Sequence, residues 1–140
     1  MKKRIFKIIL VLLWMGVIFS FSNQQAVDST KVSNNFIRNT IGKVFHIDNQ
    51  ETLDKYEEPV RKSAHFCIYL VLGLLVLNCF NIINKNTIIY SIIICLLYSI
   101  SDEIHQMFIN GRSGEIRDVI IDTVGSTLGI YILKLKTTKK

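Results

Sequence analysis

Four long apolar blocks constrain the fold of this 140-residue chain more than any other feature. A helix needs about 20 apolar residues, within a range of about 17 to 25, to cross a hydrocarbon core of ~30 Å. The last two blocks, 87–101 and 119–133, reach that length only if the polar residues at their ends continue the helix. The sequence therefore predicts an all-α integral membrane four-helix bundle, and the length allows one domain, residues 1–140. The expected spans are about 5–21, 64–80, 87–107 and 118–135.

The first block follows the basic stretch MKKRIFK, as the apolar core of a secretory signal peptide would, and Ser20-Phe21-Ser22 is a weak cleavage site. Its apolar core is longer than the about 7 to 15 residues that are usual in a signal peptide. Trp14 and Phe19 also suit a membrane anchor. We therefore expect the block to be retained as the first span.

Basic residues at the two termini account for much of the net charge of +6. They are Lys2, Lys3, Arg4 and Lys7 at the start, and Lys134, Lys136, Lys139 and Lys140 at the end. An even number of spans places both clusters on one side of the membrane, and basic flanks favour the cytoplasmic side. We expect a multi-pass protein of the cell membrane with cytoplasmic N- and C-termini. Anionic lipid accounts for the basic tails, so no nucleic-acid partner is expected.

The first outside loop, residues 22–62, contains the segment NNFIRNTIGKVFHI, whose apolar residues have helical spacing. The pattern predicts a short amphipathic helix on the membrane surface or over the bundle, with an ordinary soluble helix as the alternative. The three cysteines, Cys67, Cys79 and Cys95, lie inside apolar blocks and form no CxxC pair. They indicate neither a disulfide framework nor a cysteine zinc site.

Ionisable and polar residues cluster at the outer ends of the last three spans. Alternating spans bring these ends to one leaflet, whichever way the protein is oriented. The candidate binding residues are Arg61, Lys62, His65, Tyr69, Asp102, Glu103, Gln106, Arg112, Asp118 and Asp122. A stripe with a Gly-x-x-x-Gly spacing continues from Asp122 through Gly125 and Gly129, so this face should pack against another helix. An intramembrane carboxylate at Asp122 should then pair with Arg61, Lys62, Arg117 or His65.

The chemistry of these residues favours binding. Basic side chains can hold phosphate or carboxylate, and acids can hold an amine or sugar hydroxyls, so a polar or phosphorylated headgroup fits the mixed charge. His65, His105 and two carboxylates would be the ligands of a metal, but no recognised zinc motif is present, and no metal or cofactor is expected. Ser63, Ser99 and Ser101 lack the settings of a catalytic serine. A structural ion-pair network is the alternative.

Two segments, RKSAHFCIYLVLG and SDEIHQMFINGRSGEIRDVIIDTVGSTLG, resemble the VanZ-like family of bacterial membrane proteins. The family pattern has R-K-x-x-H-x-x-x-Y-x-x-L-G, then D-E-x-x-Q-x-F, a loop Arg, and an Asp before a Gly-x-x-x-Gly helix. The matching positions are Arg61, Lys62, His65, Tyr69, Gly73, Asp102, Glu103, Gln106, Arg112, Asp118, Gly125 and Gly129. The opening WMGVIFSFSNQ is also similar to the family's first span. Asp122 departs from the pattern, which often has Asn there, and this departure adds a carboxylate.

The resemblance implies a four-span protein linked to low-level resistance to teicoplanin and related lipoglycopeptides in Gram-positive bacteria. It does not identify a reaction, and the sequence does not decide whether the chain is an enzyme. Three hypotheses stay open. The chain binds a membrane lipid, a cell-wall precursor or a drug; it is a membrane-embedded hydrolase, with or without a metal, acting on a lipid headgroup; or it is an accessory subunit that holds a partner or a second copy of itself, as a homo-oligomer would.

Overall fold

A computed structural model of the chain describes residues 2–23, 50–109 and 114–138, with side chains described from residue 58 onward in the second range. These residues form four helices and no strand: α1 (Lys2–Ser22), α2 (Gln50–Asn78), α3 (Lys85–Gln106) and α4 (Ile116–Thr138). The predicted all-α class is confirmed. The amphipathic helix predicted in the first outside loop lies outside the described residues, as does Arg112.

Successive helices run in opposite directions, so α2 and α4 are parallel to each other. Near the start of α1, Lys7 Nζ donates a hydrogen bond to the carbonyl oxygen of Asn78, at the end of α2 (2.7 Å). Near the end of α1, the ring of Phe19 stacks on His105, in the last turn of α3 (centroids 4.5 Å apart). We call the Lys7 and Asn78 end of the bundle the terminal end and the opposite end the site end.

The sequence around α3 explains both its start and its buried face. Asn84 and Thr87 form a capping box, in which each backbone N–H donates to the other side chain at 2.9 Å. The buried residues recur every three or four positions, as one face of a helix requires. They are Ile88, Ser91, Cys95, Ser99, Asp102, Glu103 and Gln106. The face is apolar near the terminal end and acidic at the site end. Cys95 and the other two cysteines are free thiols, as predicted.

Glycines allow α2 and α4 to approach closely. A Cβ atom at any of three glycine positions would collide with a backbone carbonyl oxygen of the facing helix. The pairs are Gly73 with Ser126, Gly125 with Phe66, and Gly129 with Leu70. The predicted packing of the Gly-x-x-x-Gly stripe against another helix is therefore confirmed, and small residues have the role here that they have in membrane helix pairs.

Three of the helices are long and apolar enough to cross a membrane, over Lys2–Ser22, Glu58–Asn78 and Lys85–Gln106. Large apolar side chains lie exposed on the outside of the bundle, for example Leu12 and Leu97, as lipid contact would require. These features fit a membrane protein. Helix α4 has 23 residues, but Asp118, Asp122 and two lysines interrupt its apolar sequence.

Candidate binding site

Four carboxylates are buried at the site end of the bundle. The exposed fraction is 3% for Asp102, 5% for Glu103, 8% for Asp118 and 0% for Asp122. The first two lie in the last turns of α3, and the other two lie in the first turns of α4. Because a buried carboxylate needs a cation or hydrogen-bond donors, the partners of these four groups define the site. We call the four residues the carboxylate cluster.

Lys62 on α2 is a cation at the edge of this cluster. Its Nζ atom lies 3.7 Å from Asp118 Oδ1 and 3.5 Å from Glu115 Oε2. A third contact, 2.5 Å to Glu58 Oε1, joins residues one turn apart on α2 and lies in the more exposed part of the network. One ammonium group is thus shared among three carboxylates, and only one of the three belongs to the buried cluster.

His65, one turn further along α2, faces Asp122. The Nδ1 atom lies 3.6 Å from Asp122 Oδ1, which is within ion-pair distance but too long for a hydrogen bond. The second oxygen of Asp122 accepts a hydrogen bond from Ser99 Oγ (3.2 Å). Asp122 therefore contacts both α2 and α3 from its own position on α4, where it has no exposed surface.

Asp102 and Glu103 have hydrogen-bond donors from three sides. The hydroxyl of Tyr69 and the amide nitrogen of Gln106 both donate to Asp102 Oδ2, each at 3.4 Å. Gln106 also donates to Glu103 Oε1 at 3.3 Å. The backbone N–H of Glu115 donates to Glu103 Oε2 at 3.0 Å, which connects the end of α3 to the start of α4. The bonds of 3.3 and 3.4 Å are weak, so they orient these carboxylates but offset little of their negative charge.

Several buried polar atoms at the site end have no hydrogen-bond partner. They are the Oδ1 atoms of Asp102, Asp118 and Asp122, Nδ1 of His65, Nε2 of His105 and Oγ of Ser22. Such atoms are rare in folded proteins, and each costs about 1–3 kcal/mol. One ligand atom from each of His65, Asp102 and Asp122 lies within 4.8 Å of the other two. With four carboxylates against one lysine and one imidazole, the cluster has an excess of negative charge that suits a cation or a hydrogen-bond donor as ligand.

The profile of the VanZ/LLP1 family matches residues 6–137, which is nearly the whole chain and covers most of each of the four helices. The chain belongs to the VanZ/LLP1 family. This match confirms the resemblance drawn from the R-K-x-x-H and D-E-x-x-Q segments. A comparison with curated proteins and another with solved structures each gave no match.

In this VanZ/LLP1 protein the structure joins eight of the ten residues that the sequence proposed for binding. Through the contacts above, Lys62, His65 and Tyr69 on α2 meet the carboxylate cluster and Gln106. Arg61 is half-buried and forms no ion pair with a described residue, and Arg112 lies outside the described residues. Of the cations that the sequence offered to Asp122, the structure selects His65, whereas Arg117 is exposed.

Two further residues have roles at this site that the sequence patterns did not assign. Ser99 and Glu115 contribute donors, and the signal for Ser99 was its position one turn before Asp102 on the same face of α3. His105, which the sequence offered as a metal ligand together with His65, instead stacks on Phe19 of α1. The imidazole that meets the carboxylates is therefore His65 alone among the described histidines.

A groove of about 720 Å³ lies at the terminal end of this VanZ/LLP1 protein, away from the carboxylate cluster. Its lining combines apolar residues of α3 and α4 with Lys85 and Lys134, and it contains no carboxylate. The groove thus has the basic character expected of a surface next to anionic lipid. The groove therefore does not mark the candidate site, which is identified by the buried carboxylate oxygens that lack a hydrogen-bond partner.

Proposed function

We propose that this VanZ/LLP1 protein crosses the membrane four times, with both termini in the cytoplasm and the carboxylate cluster near the outer leaflet. The fourth span is α4, because its two carboxylates face α2 and α3 while Ile120, Val124 and Leu128 are exposed on its outer face. An intramembrane charge is tolerated when it faces protein. The basic residues that begin α1 favour a cytoplasmic N-terminus, and four spans return the C-terminus to the same side.

We further propose that the carboxylate cluster binds the polar headgroup of an envelope lipid, a cell-wall precursor or a lipid-tailed drug. The observation that carries this proposal is the set of buried Oδ1 atoms of Asp102, Asp118 and Asp122 that lack a hydrogen-bond donor. An unpaired Asp at the centre of a membrane helix costs ~2.5 to 3.5 kcal/mol, and less near the interface. A purely structural network would be expected to give these oxygens hydrogen-bond donors, whereas a binding site leaves acceptors for its ligand.

The charges indicate which part of a ligand each side of the site would take. An amine or sugar hydroxyl supplies the donors that the aspartate oxygens lack. A phosphate would be repelled by the carboxylate cluster and fits only beside Lys62 and Arg61, at its edge. A ligand with donors at its centre and an anionic group at one side therefore matches the site. We propose that occupancy of this site lowers susceptibility to teicoplanin and related lipoglycopeptides, the role that the family resemblance suggests.

The test is expression in a susceptible Gram-positive host. The wild-type protein should raise tolerance to teicoplanin more than to vancomycin, because the lipid-tailed drug concentrates at the membrane surface. Glu103→Gln removes one buried charge while preserving shape, and it should abolish the gain at normal protein level. Glu58→Gln is the matched control, because Glu58 is an exposed carboxylate whose ion pair is with Lys62 on the same helix, and it should retain the gain.

Two results would count against this proposal. If wild-type expression changes susceptibility to neither drug, the link to glycopeptides is wrong. If Glu103→Gln retains the full gain, the buried charge at that position is structural. Direct binding is tested with purified protein in detergent, by native mass spectrometry of the lipids that it retains, with the same pair of variants.

A membrane-embedded hydrolase acting on a lipid headgroup is a second candidate. One observation favours it, namely the approach of ligand atoms from His65, Asp102 and Asp122 to within 4.8 Å of one another. A divalent ion held there would supply an activated water. Release of a headgroup from vesicles of defined phospholipid by the wild-type protein, but not by Asp102→Asn, would support this activity. Equal release by both proteins, or none by either, would exclude it for that lipid.

A further inference from the structure

We propose that His65, Asp102 and Asp122 bind one divalent cation of the zinc or manganese class, at the site end between α2, α3 and α4. The first observation is their approach, with one ligand atom from each within 4.8 Å of the other two. Ligand atoms bound at about 2.0–2.2 Å to a common ion are separated by about 3.4 Å in a tetrahedron and about 4.2 Å across an octahedron. Small side-chain movements would therefore bring all three to one ion.

The second observation is the way in which the two aspartates are held. Tyr69 donates to Asp102 Oδ2, and Ser99 donates to Asp122 Oδ2. In both residues the Oδ1 atom is buried without a hydrogen-bond partner, and that of Asp122 lies at ion-pair distance from His65. One oxygen of each carboxylate is thus fixed by a hydrogen bond while the other is left for a ligand, which is the usual arrangement of donors around a metal site.

The charges favour a divalent ion over a proton on His65. A protonated imidazole would pair with Asp122 across the 3.6 Å contact, but it would leave Asp102 Oδ1 without a partner. Two aspartates and a neutral imidazole carry a charge of about −2, which a divalent ion cancels. Asp118 and Glu103 lie beside the three residues and have partial partners in Lys62 and the Glu115 backbone. These two neighbours add negative potential that also attracts a cation.

The ligand set indicates which ions fit. An imidazole nitrogen suits zinc, and carboxylates suit manganese and zinc, whereas magnesium and calcium prefer oxygen ligands alone. Three protein ligands leave at least one coordination position open for water or for an atom of a bound molecule. The ion would use the same Oδ1 atoms of Asp102 and Asp122 that the headgroup proposal offers to a donor, so metal binding is measured separately from glycopeptide susceptibility. Tyr69 and Ser99 are positioning residues here, because they act on the ion through the aspartates.

The test uses the full chain, purified in detergent with an affinity tag that contains no histidine. The protein is stripped with a chelator, reloaded with Zn²⁺ or Mn²⁺ separately, desalted and analysed for bound metal. We expect about one ion per chain in the wild-type protein and at least about tenfold weaker binding in His65→Gln and Asp122→Asn. His105→Gln is the matched control, because His105 lies at the same end of the bundle but stacks on Phe19, and it should bind as wild type does.

A second measurement uses the wild-type protein, so it needs no buried substitution that could disturb folding. Pulsed electron paramagnetic resonance of wild-type protein loaded with Mn²⁺ should show coupling to one imidazole nitrogen, and His105→Gln should show the same coupling. Wild-type protein that binds no ion, bound Mn²⁺ without nitrogen coupling, or full affinity in folded His65→Gln would each overturn the site. If metal binds as expected while glycopeptide susceptibility is unchanged, the proposed function fails and the metal site stands.

Discussion

The Nδ1 atom of His65 on α2 lies 3.6 Å from Oδ1 of Asp122 on α4. The two residues are far apart in the sequence, and their helices run parallel with a third helix between them along the chain. Their contact depends on the close approach of α2 and α4 one turn away, where Gly125 packs on the carbonyl oxygen of Phe66. The close packing of α2 on α4 and the candidate site are therefore parts of one interface. A change that separates the two helices should also separate His65 from Asp122.

The glycine contact gives the first prediction. Gly129→Ala should destabilise the protein by about 1–3 kcal/mol, because its Cβ atom would meet the backbone carbonyl oxygen of Leu70, which cannot move aside like a side chain. Thermal unfolding in detergent measures the change. Gly16→Ala is the control, since a Cβ there meets nothing within 4 Å, and it should be neutral or slightly stabilising. Equal stability of the two variants would contradict the packing.

Lys62 gives the second prediction. Lys62→Met should destabilise the protein by about 1–3 kcal/mol, because Asp118 loses the ammonium group at 3.7 Å and its buried Oδ1 atom keeps no compensating charge. Chemical unfolding of purified protein checks this. Adding Asp118→Asn to Lys62→Met should recover part of the loss, since the uncompensated charge is then gone. Glu58→Gln removes only the exposed partner on the same helix and should leave stability nearly unchanged, because exposed ion pairs contribute little.

The hydroxyl of Tyr69 gives the third prediction. Tyr69→Phe should cost about 1 kcal/mol of stability, because a buried donor to Asp102 is lost while the ring is kept. If Asp102 is a metal ligand, the variant should also bind Zn²⁺ about tenfold more weakly. Tyr90→Phe is the control, because that side chain is exposed on the outside of α3. Unchanged stability in Tyr69→Phe would mean that the 3.4 Å hydrogen bond contributes little.

Membrane topology gives the fourth prediction. Single cysteines at Asn23 and Phe108, both exposed at the site end, should react with a membrane-impermeant maleimide on intact cells. A cysteine at Asn86, exposed at the start of α3, should react only after the membrane is permeabilised. These variants are made in a protein whose native cysteines, Cys67, Cys79 and Cys95, have been replaced. Labelling of the cysteine at position 86 in intact cells would contradict four spans with cytoplasmic termini. Failure to label the cysteine at position 23 or 108 would contradict them too.

The sequence alone determined the apolar part of each helix and the end of the bundle that carries the polar residues, whereas α2 begins at Gln50, inside the predicted outside loop. Apolar length and helical periodicity are local properties, and α3 shows this clearly, because its capping box and its acidic last turns lie within one stretch of chain. The polar stripes on three segments also pointed to one common end, because alternating helices leave few other arrangements. The family followed from the same segments, since their spacings are a property of the sequence.

The tertiary structure decided which of these residues meet. The sequence offered four cations to Asp122 and two histidines to a metal, and it could not choose, because the rotation and depth of each helix depend on contacts with the others. The packing of Gly73, Gly125 and Gly129 sets the rotation of α2 against α4, and it turns His65 toward Asp122. His105, one turn after Asp102 on α3, stacks on Phe19 instead. Pairing between helices is non-local, so only the folded structure shows it.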